Sequence, residues 1–323
     1  MTSTGKSVAL LGGPDSGKTT YLGALTLGLD SAKEHAQVRI DDIGDDARGL
    51  RRLAEPLRRG VYPQRTKAER HTLDVALRTA GGRLPALDFM LRIADYDGEE
   101  IERLFDQRSV ANMTEWQARA QADGLLLFVR PAAIKPLPTL HKPGTTISRP
   151  TVSPGAPLFS PAHFSDGIAA EEVPTSRQRK AHEPVDVPTV LGLVELLQYL
   201  RELRGLSPGE RPPVGTYRIG ILLPSWDASA PEWQQKRPQD YLVEHAPVLL
   251  DYLWSNHHLD DVFYFGLSAT GGDLNQPEHK RRYIRDPQGY VRFAKTNGGL
   301  VRADDLSLPI LWALFGDRAL PIG

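Results

Sequence analysis

The sequence has no cysteine, only three methionines and few aromatic residues, at 7%. The absence of cysteine excludes disulfides, thiolate metal sites and cysteine nucleophiles. No apolar run approaches the length of a membrane span, and Val8–Leu11 is too short for the core of a signal peptide. The formal net charge of −1 shows no excess of either sign. These absences favour a cytoplasmic protein that neither binds nucleic acid nor inserts into a membrane.

The composition is that of a globular protein, with 40% hydrophobic and 24% charged residues among 323. Proline is frequent, at 26 residues, and much of it falls between 131 and 188. No helical or alternating apolar period is present in that segment. We therefore expect a single domain over 1–323, with a proline-rich, flexible insertion at 131–188.

A glycine-rich stretch near the start is the most specific feature. Gly12–Thr19 fits the pattern G-x-x-x-x-G-K-[ST] without a gap. The apolar run Val8–Leu11 precedes it, and leucines at helical spacing follow it. An ordinary glycine-rich turn is the simpler interpretation, but a strand before and a helix after favour a phosphate site. Backbone N–H groups of such a loop converge on phosphate, while Lys18 supplies a cation and Thr19 a hydroxyl for Mg²⁺. The residues expected at the phosphates are Gly12, Pro14, Asp15, Ser16, Gly17, Lys18, Thr19 and Thr20.

Strands and helices alternate along most of the remaining chain. Strands are predicted at 71–77, 87–94, 125–129, 217–223 and 262–267, and helices at 45–59, 114–121, 238–256, 306–315 and from Thr189 onward. Gly60 is a plausible stop for the second helix. This order predicts an α/β fold with helices on both faces of a mostly parallel sheet. Ligands in such sheets bind beyond the carboxyl ends of the strands.

Four further motifs stand at predicted loops or strand ends. They are Thr66 before a strand, Asp95-x-x-Gly98, Pro224-Ser225-Trp226-Asp227 and Ser268-Ala269-Thr270. Each alone is weak: a loop threonine, an acidic turn, an aspartate capping a helix, a polar loop. In this order after the phosphate loop, they resemble those of Ras-like P-loop GTPases of the translation-factor-related class. The resemblance covers most of residues 7–316.

The resemblance implies a role for each motif. Thr19, Thr66 and Asp95 would hold Mg²⁺, with Asp97 an alternative to Asp95, and the Gly98 N–H would meet the γ-phosphate. Asp227 would accept hydrogen bonds from guanine, and the Ser268–Ala269 backbone would contact the guanine oxygen. The implied catalytic residues are Lys18, Thr66 and Glu99.

Four features depart from the family pattern. Pro14-Asp15 replaces the second glycine of many Ras-like loops. Ser225 replaces the lysine whose stem covers the base, and Trp226 offers alternative apolar cover. Thr270 replaces the lysine of the family's S-A-K loop. Glu99 stands where Ras-like enzymes carry the glutamine that orients water, so it could orient water, act as a base, or leave turnover slow.

A closer likeness is to the bacterial double-GTPase group linked to conflict and signalling systems. It rests on Thr19-Thr20-Tyr21-Leu22, on Tyr62-Pro63-x-x-Thr66 and on Asp95-Tyr96-Asp97-Gly98-Glu99. The resemblance implies a switch that binds GTP or GDP with Mg²⁺, hydrolyses GTP and acts on a protein effector or regulator. Two alternatives stay open: an ATP-dependent P-loop enzyme, and a nucleotide-binding scaffold with negligible hydrolysis. The oligomeric state, including a nucleotide-dependent dimer, also stays open.

Overall fold

A computed structural model describes residues 5–13, 15–30, 37–40, 45–63, 71–79, 83–95, 113–134, 189–207, 209–295 and 298–321. Only the backbone is described at 45–47, 71–73, 94–95 and 113–115. The described residues belong to one compact unit formed by Met1–Pro136 and Pro188–Gly323. Of the predicted insertion, only residues 131–134 are described, and Pro131–Ala133 form a 3₁₀ turn. The single domain with a flexible insertion therefore stays a prediction.

The described residues form one sheet of nine strands in the order β2-β3-β4-β1-β5-β6-β7-β8-β9. The strands are β1 Lys6–Gly12, β2 Val38–Ile40, β3 His71–Thr79, β4 Asp88–Asp95, β5 Gly124–Phe128, β6 Arg218–Pro224, β7 Val262–Ser268, β8 Tyr290–Ala294 and β9 Leu300–Ala303. The five inner strands, from β4 to β7, pair in parallel. Antiparallel strands extend the sheet at both sides. The predicted α/β fold is confirmed, as a mixed sheet with a parallel core.

Helices cover both faces of this sheet. They are α1 Lys18–Asp30, α2 Asp45–Arg58, α3 Met113–Ala120, α4 Thr189–Leu203, α5 Pro231–Gln234, α6 Pro238–His245, α7 Pro247–Asn256, α8 Pro277–Arg285 and α9 Leu308–Phe315. In β1, Val8 and Leu10 face one hydrophobic core, while Ala9 and Leu11 face the other. A strand buried on both sides explains why this run is apolar without alternation. No helix of the described part of the chain is long and apolar enough to cross a membrane.

Close helix packing sets the position of α2 beside the phosphate loop. A Cβ on Gly23 of α1 would lie 2.6 Å from the Leu53 carbonyl oxygen of α2. Only a residue without a side chain lets the two backbones approach so closely. Helix α2 then ends as predicted, because the Gly60 N–H donates to the Leu57 carbonyl (2.8 Å) and the Val61 N–H to the Pro56 carbonyl (3.0 Å). This pair of bonds is the Schellman arrangement, with Gly60 at the left-handed φ of 65° that it requires.

Candidate functional site: a phosphate loop and a purine end

The parallel register brings the predicted motifs to one edge of the sheet. Leu10 of β1 pairs with Ile93 of β4, so Gly12 and Asp95 end neighbouring strands two residues further on. Strands β6 and β7 also run parallel to β1 through β5, so Pro224 and Ser268 end at the same edge. The motifs that the structure describes therefore converge, although they are far apart in sequence. Ligands bind at this edge in parallel α/β sheets.

The phosphate loop encloses the Lys18 side chain. Its ammonium Nζ donates to the carbonyl oxygens of Gly12 (2.7 Å) and Gly13 (3.1 Å) and to Ser16 Oγ (3.2 Å). Lys18 is only 5% exposed, so this charge lies against oxygens of the loop rather than in water. A cation held in this way at the first turn of α1 adds to the positive end of the helix. Together they can bind an anion strongly.

The loop backbone contains residues with a positive φ. Asp15 has a left-handed φ of 53°, and Gly17 has a φ of 85°. Left-handed residues beside right-handed ones form the backbone concavities that bind anions. Such a φ is uncommon for a residue with a side chain, and conformations of this kind concentrate at functional sites. Asp15, in contrast to Ser16, is exposed and faces the outside of the loop.

The side chain of Phe128 forms a floor beneath the loop. A Cβ on Gly12 would lie 2.7 Å from Phe128 Cβ and 2.8 Å from its carbonyl oxygen, so β5 closes directly on the end of β1. The Tyr21 ring of α1 packs on Phe128 with 5.4 Å between centroids. The Tyr21 hydroxyl donates to the Leu306 carbonyl (2.8 Å), and burial raises the pKa of this phenol. Sequence reasoning placed the strand of Phe128 but missed its role under the loop.

At the end of β6, Asp227 offers a carboxylate that no described group binds. The residue lies within the 3₁₀ turn Trp226–Ala228 and is half-buried. Gln234 holds this turn instead, since its amide donates to the backbone carbonyls of Asp227 (2.9 Å) and Ser229 (2.8 Å). A half-buried carboxylate without a partner among the described residues remains free to accept hydrogen bonds from a ligand.

The prediction that Trp226 covers the base of a nucleotide is wrong. The indole is fully buried, and it packs edge-to-face against Tyr241 at 6.0 Å. A Cβ on Gly266 of β7 would lie 2.6 Å from its Cγ, so the ring lies flat on that strand. Ser225 is exposed and has a left-handed φ of 55°. The side chain at 226 therefore belongs to the core and does not face a bound nucleotide.

We call residues 268–274, which follow β7, the base loop. Ser268 is fully buried and pairs with Tyr290 of β8, whereas Ala269 is partly exposed. A Cβ on Gly289 would lie 2.5 Å from the Ala269 carbonyl oxygen, so β8 presses on this backbone. The Ser268 side chain is thus a structural group, whereas Ala269 is partly exposed at the start of the loop.

The base loop is also held from the side of α8. The His279 Nε2–H donates to the Thr270 carbonyl (2.9 Å), and its Nδ1 accepts from Arg282 Nη2 (2.7 Å). These partners require the neutral ring with its proton on Nε2. The Thr270 hydroxyl donates to the Gly272 carbonyl (2.7 Å). Sequence reasoning did not predict α8, and therefore missed this support.

Several predicted site residues lie outside the described residues. They are Pro14, Thr66, Gly98 and Glu99, and of Asp95 only the backbone is described. Thr19 and Thr20 lie, half-buried, in the first turn of α1, as predicted. Tyr62, which the sequence analysis names only as part of the motif Tyr62-Pro63-x-x-Thr66, is a further candidate, because its hydroxyl contacts the base loop. In the sequence, its position four residues before Thr66 is the feature that could have indicated a role at the site.

Comparison with solved structures finds GTPases of low identity. They include a bacterial selenocysteine-specific elongation factor EF-Sec (15% identity over 93% of this chain and 34% of that chain, TM-score 0.34) and Sup35 complexed with GDP (10%, 83% and 38%, TM-score 0.33). A third is the signal recognition particle receptor SRb-GTP/SRX complex from Chaetomium thermophilum (12%, 88% and 99%, TM-score 0.39). The chain spans about a third of the length of the first two. At these scores the likenesses carry no argument about function. No curated protein matches significantly.

A family model gives the stronger result. The model described as Double-GTPase 1 matches residues 9–313, which run from β1 to α9 and include every motif of the site. The resemblance to double GTPases that the motifs indicate is thereby confirmed, and it supports a GTP-binding P-loop protein. The chain belongs to the Double-GTPase 1 family.

Proposed function

We propose that this protein binds GTP with Mg²⁺, hydrolyses it to GDP and acts as a nucleotide-dependent switch. The observation that carries the proposal is the phosphate loop, where the Lys18 ammonium lies against the carbonyls of Gly12 and Gly13 at the start of α1. A triphosphate offers many anionic oxygens, and they can replace those carbonyls as acceptors for the same ammonium. The exchange trades neutral acceptors for charged ones, which form the stronger hydrogen bonds.

The choice of guanine rests on the end of β6. The free carboxylate of Asp227 can accept from both guanine N1–H and the 2-amino group. Adenine lacks this pair of donors, so it would leave the carboxylate without a partner. The Ala269 backbone N–H, one strand further along, is the group proposed for the guanine oxygen. Both groups lie at the edge where β1 carries the phosphate loop.

The oxygen groups at this edge suit Mg²⁺. The Thr19 hydroxyl lies in the first turn of α1, and Asp95 ends the strand next to Gly12. Hydroxyl and carboxylate oxygens are the ligands that Mg²⁺ takes together with phosphates and water. Thr19, Asp95 and Thr66 would hold the ion, which would neutralise charge on the β- and γ-phosphates. Lys18 contributes the remaining positive charge.

Hydrolysis is assigned to the segment after β4. Gly98 would donate its N–H to the γ-phosphate, and Glu99 would orient the attacking water. Loops that bind the γ-phosphate become ordered with GTP and are released after hydrolysis. A protein effector or regulator would read this difference, in a bacterial conflict or signalling system in the cytoplasm. The competing proposal is a scaffold that binds nucleotide without turnover.

Removal of the Lys18 charge tests the site. Lys18→Ala should weaken GTP binding about a hundredfold or more, because two charge-assisted bonds of about 1.5–3 kcal/mol each are lost. The matched control is Lys6→Ala, since Lys6 lies at the opposite end of β1 and donates to the Leu314 carbonyl (3.4 Å). Titration with a fluorescent GTP analogue, competed by GTP and ATP, measures the affinities. Unchanged affinity in Lys18→Ala refutes the site.

The same preparation separates the competing functions. Equal competition by ATP and GTP on the wild type favours the ATP-dependent enzyme, for which the absent lysine at Ser225 is the supporting feature. Tight GTP binding without release of GDP or phosphate over many hours favours the scaffold. Preference for GTP together with Mg²⁺-dependent release of GDP is the result that we expect.

A further inference from the structure

The Tyr62 hydroxyl, in the loop that follows α2, contacts the base loop. The Tyr62 hydroxyl accepts from the Leu274 backbone N–H (3.1 Å) and donates to Asp273 Oδ1 (3.3 Å). Tyr62 is half-buried, so water competes only in part for these bonds. The hydroxyl therefore joins two segments that are more than two hundred residues apart in sequence.

The course of the chain up to Tyr62 is fixed independently. The Schellman bonds at the end of α2 set the direction of Gly60 and Val61. A Cβ on Gly60 would lie 2.8 Å from Lys280 Cγ and 3.0 Å from Ile284 Cδ1, so this turn packs tightly on α8. Because both α2 and α8 hold the turn, the Tyr62 hydroxyl is delivered to one place at the end of the base loop.

The base loop has its other anchor at the opposite end. His279 binds the Thr270 carbonyl, immediately after Ala269, and Tyr62 binds the N–H of Leu274. Between them lie Gly271 and Gly272, which give the backbone the freedom that it would lose with larger residues. The Thr270 hydroxyl bond to Gly272 and the close approach of Gly289 to Ala269 hold the first half of the loop as well, whereas the Tyr62 hydroxyl binds the Leu274 N–H at its far end. Loss of that bond leaves more shapes accessible to the end of the loop.

We propose that Tyr62 is a positioning residue that fixes the base loop in the shape that receives a purine. The inference rests on the proposed function, because it concerns how the same nucleotide is bound. Tyr62 acts on the base through the loop, so its hydroxyl contributes to binding only for ligands that carry a base. A ligand with phosphates alone does not use the base loop. The contribution of Tyr62 therefore appears as a ratio of affinities, GTP against inorganic tripolyphosphate.

The experiment compares two tyrosine variants. Tyr62→Phe keeps the ring and removes the hydroxyl, while the control Tyr264→Phe removes a hydroxyl that accepts from Trp254 Nε1 (3.1 Å), away from the base loop. Competition titrations of full-length protein give affinities for GTP and tripolyphosphate. We expect Tyr62→Phe to weaken GTP about three- to tenfold, the worth of one net hydrogen bond, and to leave tripolyphosphate unchanged. Tyr264→Phe should change neither affinity.

A second variant and a second measurement complete the test. Gly60→Ala keeps the Tyr62 hydroxyl but displaces the turn, so it should lower the same GTP-to-tripolyphosphate ratio. Hydrogen exchange of the ligand-free protein should be faster at the Leu274 amide in Tyr62→Phe than in the wild type. A purely structural effect would lower both affinities together, and that result overturns the inference, as does an unchanged ratio or unchanged exchange at Leu274.

If the proposed function is wrong, the wild-type affinities already show it. A wild type that binds tripolyphosphate as tightly as GTP has no purine site, and this overturns both proposals. A wild type that prefers GTP, with a Tyr62→Phe variant of the same preference, overturns the positioning role alone.

Discussion

The carboxylate of Asp227 should account for most of the preference for guanine. Asp227→Ala removes this acceptor, while Gln234 continues to hold the turn through the backbone carbonyls of residues 227 and 229. Two guanine donors then lose their partner. An unsatisfied buried donor costs about 1–3 kcal/mol of binding free energy. Because Asp227 is only half-buried, we expect the cost for each guanine donor in the lower part of that range. The sum, about 2–4 kcal/mol for the two donors, corresponds to roughly a thirty- to thousandfold weaker affinity for GTP.

The assay is competition between GTP, ATP and XTP on the wild type and two variants. Asp227→Ala should leave any ATP affinity nearly unchanged, because adenine does not use the carboxylate. Asp227→Asn should shift preference toward XTP, whose ring presents an oxygen that the amide can donate to. Glu232→Ala is the matched control, since it removes one negative charge from the neighbouring helix α5. Equal loss of GTP and ATP affinity in Asp227→Ala would refute the role of this side chain.

Two further predictions concern the loop and the core. Gly12→Ala should lose about 1–3 kcal/mol of stability and much of its GTP affinity, because its Cβ would overlap Phe128. The control is Gly28→Ala in α1, outside the loop, where nothing lies within 4 Å of the added Cβ. An equal loss of stability in urea melts and of GTP affinity in titrations for both variants would contradict the packing argument. Burial, with nearby arginines, lowers the pKa of His257 to about 4. The ordinary pKa of about 6.5 applies to this histidine in the unfolded chain, so between pH 6.5 and pH 4 the unfolded chain binds a proton that the folded chain does not. The free energy of unfolding is therefore at its full value above pH 6.5 and falls by roughly 3 kcal/mol by pH 4. His257→Phe should flatten urea midpoints across this range, and an unchanged slope would exclude this histidine as the cause.

Much of the fold could be predicted from local patterns. The strand of Leu125–Val129 is central in the sheet, as its apolar run indicated. Helices α6 and α7 together cover the helical region predicted at 238–256, and they meet at Pro247. These signals are short-range, since the burial of a strand on both faces or the missing N–H of proline acts within a few residues.

The parts that were missed depend on long-range contacts. Helix α8 is strongly charged and buries only Tyr283, so no apolar stripe marked it. The pairing of β8 with β7 depends on a register between strands that no local pattern fixes. The contact between Tyr62 and Leu274 could not be predicted either, because it depends on how the turn after α2 packs against α8, and these elements are far apart in the sequence.

The segment 224–227 shows why a motif can give the right place and the wrong role for a neighbouring residue. The pattern placed Asp227 at the end of a strand, where the structure leaves its carboxylate free. The same pattern suggested that Trp226 could replace the missing lysine stem. The structure instead turns the indole onto Gly266, because the left-handed backbone at Ser225 reverses the chain between strand and turn. A large ring fills that space only when the facing residue on β7 has no side chain, so Trp226 and Gly266 act as a pair in the core. In the proposed complex with GTP, residues other than Trp226 would therefore cover the face of the purine.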